Sequence, residues 1–134
     1  MQKEQILQVL VKMIDTKLKD KSYYNQNQYE ESTLNLDADL IYEALGNETV
    51  QDEYTFIREE EVGGYEGAGE NTHYVFSLID NRTEVKTSFK ISGYYNSWDS
   101  TEWYSFDIVE PKEITVMQWV KQDLNNKNTK GKNI

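Results

Sequence analysis

The residues that could do chemistry are few, and the first group is Gly63-Gly64-Tyr65-Glu66-Gly67-Ala68-Gly69-Glu70. A glycine-dense run of this kind can cradle phosphate, but a phosphate loop opens onto a helix N-terminus and usually carries a lysine behind its glycines. Here a strand-like pattern follows, and Glu59, Glu60, Glu61, Glu66 and Glu70 surround the run and would repel phosphate. Calcium would need Asp or Asn ligands at the alternating spacing of a calcium loop, which the run lacks. It reads instead as a wide loop or bulge whose glycines take positive φ or let backbones approach closely. Its glutamates read as an acidic surface offered to a basic partner.

His73 is the sole histidine, so no second one can share a metal with it, and Ser77 nearby completes no nucleophilic triad. Asp99, Glu102 and Asp107 could be imagined as an acid–base pair, yet they read as solvated acids near a turn. The expectation is a non-enzyme with no cofactor and no metal site. More informative is the aromatic group Tyr94, Tyr95, Trp98, Trp103 and Tyr104, which crowds one hairpin. Cross-strand aromatic pairing accounts for part of it. A Trp inside a turn, beside Asp99 and Glu102, also has the character of an interface anchor. The expected partner-binding set is therefore Glu59, Glu60, Glu61, Glu66, Glu70, Tyr94, Tyr95, Trp98, Asp99, Glu102 and Trp103.

These residues must be positioned by residues 62–113, which read as a meander of three strands over 71–80, 83–96 and 102–110. A turn at Asn81-Arg82 sets Leu78 opposite Val85, Phe76 opposite Thr87, Tyr74 opposite Phe89 and Thr72 opposite Ile91. The other face then pairs Ser77 with Lys86, Val75 with Ser88 and His73 with Lys90. A second turn, over Ser97-Trp98-Asp99-Ser100, sets Phe106 opposite Ile91 and Ile108 opposite Phe89. Both hairpins agree on one apolar face, the alternation of an antiparallel sheet with one side in water.

Ahead of the meander, residues 4–18 place Ile6, Leu10 and Met13 on a helical stripe with Leu7, Val11, Ile14 and Leu18 beside it. This predicts a helix packed across one face of the sheet. Residues 20–33 read as a loop or a helix extension. Residues 34–45 predict a second helix with Gly46 as its C-cap glycine, and residues 50–62 the first strand. Pro111 must end the strand of Phe106 and Ile108. Residues 113–120, with Ile114, Val116, Met117, Trp119 and Val120, predict a last strand. The fold class is thus α+β: an antiparallel sheet of four or five strands with N-terminal helix or helices on one face. One domain over 1–124 and a flexible polar tail over 125–134 complete the organisation.

A chain of 134 residues supports one modest core. Its net charge of -10 disfavours direct binding to nucleic acid or to an anionic membrane. The charge is unevenly placed: residues 1–21 hold five Lys against three Asp/Glu, residues 121–134 four Lys against one Asp, and residues 22–120 five Lys/Arg against twenty Asp/Glu, a net -15. No cysteine is present, so there is no disulfide or thiolate chemistry. The N-terminus, Met1-Gln2-Lys3-Glu4, precedes no apolar run of signal-peptide or membrane-span length, and an intracellular protein is expected.

The glycine-rich run, then Gly93-Tyr94-Tyr95-Asn96-Ser97-Trp98-Asp99-Ser100-Thr101-Glu102-Trp103, then Val109-Glu110-Pro111-Lys112-Glu113-Ile114-Thr115-Val116, resembles a recurring set of small acidic accessory proteins of tailed phages and prophages. The resemblance covers about the second half of the chain and transfers no catalytic residue. It implies a viral protein in the cytoplasm of a bacterial host. Together with the acidic body, it leads to the expectation of a non-enzymatic accessory protein that binds and inhibits a host protein with a basic surface, such as a nucleic-acid-handling or CRISPR-type defence protein. Two alternatives stand beside it: a phage structural or assembly component that self-associates, including as a homodimer, and a small-ligand binding or sequestering protein that uses the aromatic hairpin.

Overall fold

A computed structural model describes residues 1–63, 70–96 and 100–122. Glu66, Trp98, Asp99 and the polar tail at 125–134 lie outside the described residues. Three helices, α1 (Lys3–Leu18), α2 (Gln26–Leu34) and α3 (Ala38–Leu45), precede five strands: β1 (Glu48–Val50), β2 (Tyr54–Val62), β3 (Glu70–Asp80), β4 (Val85–Asn96) and β5 (Ser100–Val109). The strands pair antiparallel in sequence order, a plain meander. The fold is α+β, as the sequence predicts.

The stripe of α1 is buried at Ile6, Leu7, Leu10, Met13, Ile14 and Leu18, and it joins Phe56, Tyr74, Phe76, Leu78, Phe89 and Ile91 of the sheet in one core. The helix crosses the whole sheet. At its start Lys3 Nζ lies 5.7 Å from the centre of the Phe106 ring on β5. Near its end Gln51 Nε2 donates to the Met13 carbonyl at 2.9 Å, and Lys17 Nζ donates to Thr49 Oγ1 on β1 at 3.0 Å. Sixteen residues of helix reach about 24 Å, enough to span four inter-strand gaps of about 4.8 Å each.

Residues 20–33 hold a separate helix rather than an extension of α1. Asn25 Oδ1 accepts from the Gln28 backbone N–H at 3.3 Å and starts α2. The expected helix over 34–45 is two pieces. Leu36 has φ of 67°, and the bonds Leu36 N–H to Thr33 O and Asp37 N–H to Ser32 O close α2 in a left-handed C-terminal turn. Asp37 then caps α3 through Leu40 N–H at 3.0 Å. Gly46, with φ of 70°, closes α3 as expected.

Three strand expectations change. The first strand is two, because 51–53 turn back on themselves, with Gln51 N–H donating to Tyr54 O at 3.0 Å. In the β3–β4 hairpin the observed partners are Leu78 with Thr87, Phe76 with Phe89, Tyr74 with Ile91 and Thr72 with Gly93. On the other face Ser77 pairs with Ser88, Val75 with Lys90 and His73 with Ser92. The loop is residues 81–84, two longer than the turn the sequence suggested. Asp80 Oδ1 accepts from Arg82 N–H, Asp80 O accepts from Glu84 N–H at 2.7 Å, and Glu84 sits at φ of 63°. A slip of two residues preserves the faces, so the buried set stands although each partner moves. The β4–β5 pairs, Phe89 with Ile108 and Ile91 with Phe106, are as predicted.

The third change is at the C-terminal end. β5 stops at Val109, ahead of Pro111, but residues 113–120 form no strand. Ile114, Val116, Met117, Trp119 and Val120 are 69–104% exposed. Among the described residues, no helix is long and apolar enough to cross a membrane.

Candidate functional site

The helix-free face of the sheet is shaped by an irregularity in β2. Arg58 pairs with Phe76 and Glu60 with Val75, so Glu59 is an extra residue in the strand. The bulge divides Glu59, Glu60 and Glu61 between the two faces. Glu59 Oε2 accepts from Ser77 Oγ at 2.7 Å and pairs with Lys86 Nζ at 2.5 Å. Glu60 Oε2 meets His73 Nε2 at 2.5 Å. Glu61 turns to the helix side, where it pairs with Arg58 at 3.2 Å and accepts from Tyr74 Oη.

On the open face, Glu59, Glu60, Val75, Lys86, Lys90 and Val109 line most of a shallow groove of about 610 Å³. The Lys86 and Ser77 hydrogen bonds hold the Glu59 carboxyl below its usual range. A carboxylate held that way is a poor general base at neutral pH. Ser77 is fully buried beneath it and shares its hydroxyl with Ser88 Oγ at 2.7 Å, so a substrate cannot reach it. The chemistry of this cluster is charge pairing. Among the described residues, no group of three or more His, Asp or Glu is placed to hold a metal ion.

A second polar cluster joins residues far apart in the sequence, Asp39, Glu61 and Tyr74. Tyr74 Oη lies 3.2 Å from both Asp39 Oδ1 and Glu61 Oε2. Burial, followed by the charges of Asp39 and Glu61, pushes the Tyr74 hydroxyl well up from its ordinary value. Loss of water raises Asp39 also, opposed by hydrogen bonds from Tyr74 and Trp103. Asp39 is exposed as a residue, but its carboxyl rests against these two rings. The only hint in the sequence was an acid in the first turn of a helix, where it complements the helix dipole.

The flanks of the two predicted regions come to one end of the sheet. Glu70 opens β3 opposite Tyr95, Tyr95 is opposite Thr101, and Tyr94 is opposite Glu102. A meander dictates this, because the β2–β3 and β4–β5 connections leave the sheet on the same side. Tyr94 is 46% exposed, and Glu102 is exposed beside it. Trp103 is different: it packs toward the core, its ring centre 5.8 Å from that of Tyr74. A bulge between Ser92 and Gly93 makes Tyr104 the extra residue of β5, and it stands 58% exposed. The expected site thus comprises Glu70, Tyr94, Tyr95 and Glu102 at the sheet end, Glu59 and Glu60 on the open face, and Glu61 and Trp103 on the helix side. No protein-family model matches the sequence, and neither a curated protein nor a solved structure matches it.

Proposed function

We propose that this chain is a non-enzymatic binding protein that presents its acidic body to a basic surface on a host protein. The observation that carries the reading is how the body uses its few cations. Arg58 pairs with Glu61, Arg82 with Asp80 and Glu53, and Lys86 with Glu59. Exposed Glu31, Glu43, Glu48, Asp52 and Glu102 have no cationic partner among the described residues. Their field extends into solvent, where it speeds encounter with a basic groove and disfavours nucleic acid itself. Such acids can stand where phosphates would otherwise bind. The resemblance to small acidic phage proteins supplies a setting, a bacterial host whose nucleic-acid-handling and defence proteins, CRISPR effectors among them, carry such grooves.

The experiment is capture of a partner from bacterial lysate, followed by an affinity series in salt. Binding weakens steeply as the screening length falls from about 10 Å at 0.1 M to about 3 Å at 1 M. Reversal of Glu31, Glu43, Glu48 and Glu102 to Lys weakens it further at low salt. An affinity indifferent to both changes rules the acidic surface out.

A further inference from the structure

We propose that residues 112–122 form an exchange arm, which adds as a strand to the outer edge of β5 in a second copy of this chain while receiving that copy's arm in return. β5 is the last strand in the sheet order, so its outer backbone edge has no strand beside it among the described residues. An open edge of this kind is a template for a further strand. It also carries apolar surface, with Tyr104 58% and Ile108 51% exposed. The arm offers the complement. In a strand Ile114, Val116 and Val120, now 75%, 69% and 79% exposed, share one face and Trp119, at 104%, stands on the other, apolar surface that pairing draws partly out of water. Residues 112–122 are about as many as the ten of β5.

The junction decides against pairing within one chain. Folding the arm back beside its own β5 by a two-residue hairpin turn would take positive φ, which Gly, Asn or Asp supply most readily. The sequence there is Val109-Glu110-Pro111-Lys112. Proline fixes φ near -65° and holds the preceding Glu110 extended. A two-residue turn does not fit at this junction, and residues 111–122 lie exposed and unpaired with β5.

Charge selects the occupant. From residue 112 onward the chain holds five Lys against one Glu and one Asp, a net +3, whereas residues 22–111 hold four Lys/Arg against nineteen Asp/Glu, a net -15. A basic host surface would repel this end of the chain, while the body of another copy attracts it. Each copy has one arm and one β5 edge, so two copies related by a twofold axis satisfy each other at β5 and close the assembly. The inference is independent of the host-partner reading above.

Sedimentation equilibrium on the full chain tests it, with hydrogen exchange on the same samples. The expected mass is that of two chains, with the amides of 112–120 protected and the protection lost on dilution. Val116→Asp with Trp119→Asp halves the mass. Both side chains are exposed, so the variant keeps its helical and strand circular dichroism. Tyr23→Asp, at a position 67% exposed on the helical side, leaves the pair intact. A wild-type monomer overturns the proposal, and so does a dimer that survives the arm variant. Arm amides protected in a monomer would mean the arm folds on its own sheet, and a mass beyond two chains would mean open-ended exchange; either result overturns the closed pair.

Discussion

Lys86 on β4 and Glu59 on β2 meet at 2.5 Å although β3 runs between their strands, and the buried Ser77 hydroxyl donates to the same carboxylate from below. The pair exists because the β2 bulge adds Glu59 to the strand. Since both side chains are partly exposed, a double-mutant cycle on Glu59→Gln and Lys86→Met gives a coupling of about 0.2–1 kcal/mol. Ser77→Ala costs about 1 kcal/mol for its lost hydrogen bond. The pH dependence has a definite sign. Glu59 is lowered by Lys86 and then by Ser77, so its contribution is present above the ordinary carboxylate pKa and is lost as pH falls through the lowered one. Urea melts in acid show that loss in the wild type, and Glu59→Gln lacks it.

Asp39 gives the opposite slope. Desolvation raises its carboxyl, so the fold binds a proton there more readily than the unfolded chain does. Its effect on stability worsens as pH rises through the interval between the unfolded and the raised folded value. Asp39→Asn, whose carbonyl still accepts from Tyr74, therefore gains on the wild type as pH climbs through that interval. Paired melts on either side of it, at constant ionic strength, check the sign.

Glu84 occupies left-handed backbone at φ of 63°. That conformation costs an ordinary residue about 1–2 kcal/mol, partly offset in a glycine variant by about 0.5–1 kcal/mol of chain entropy. Glu84→Gly is expected to raise stability by up to about 1 kcal/mol, and Glu84→Val to lower it. Chemical denaturation of both variants decides, and a stabilised Val variant would contradict the turn geometry.

Gly93 faces Trp103 across β4 and β5, and an added Cβ would meet Glu102 O at 2.6 Å and Trp103 Cε3 at 2.8 Å. Backbone cannot yield there as a flexible side chain would, so Gly93→Ala costs about 1–3 kcal/mol. Tyr94→Ala next to it, at a half-exposed position, costs much less. The ratio of the two losses in thermal melts separates a packing glycine from a merely tolerant one.

The sequence by itself determined which faces of α1 and of the β3–β4 hairpin turn to the core. Period 2 in the meander and period 3.6 in α1 name the apolar faces, and those faces survive a register error of two residues, as Phe76 and Phe89 demonstrate. Gly46 at the end of α3 and Pro111 after β5 were legible for the same local reason, because each restricts or frees its own backbone. What only the tertiary structure decided is where side chains meet at long range. The bulge that divides Glu59, Glu60 and Glu61 has no signature in three like residues, and the length of the 81–84 loop depends on Asp80 capping it. Trp103 and Trp119 are equally apolar in the sequence. One packs on Tyr74 because its strand has neighbours, and the other is left in water because the chain past Pro111 has none within its own sheet.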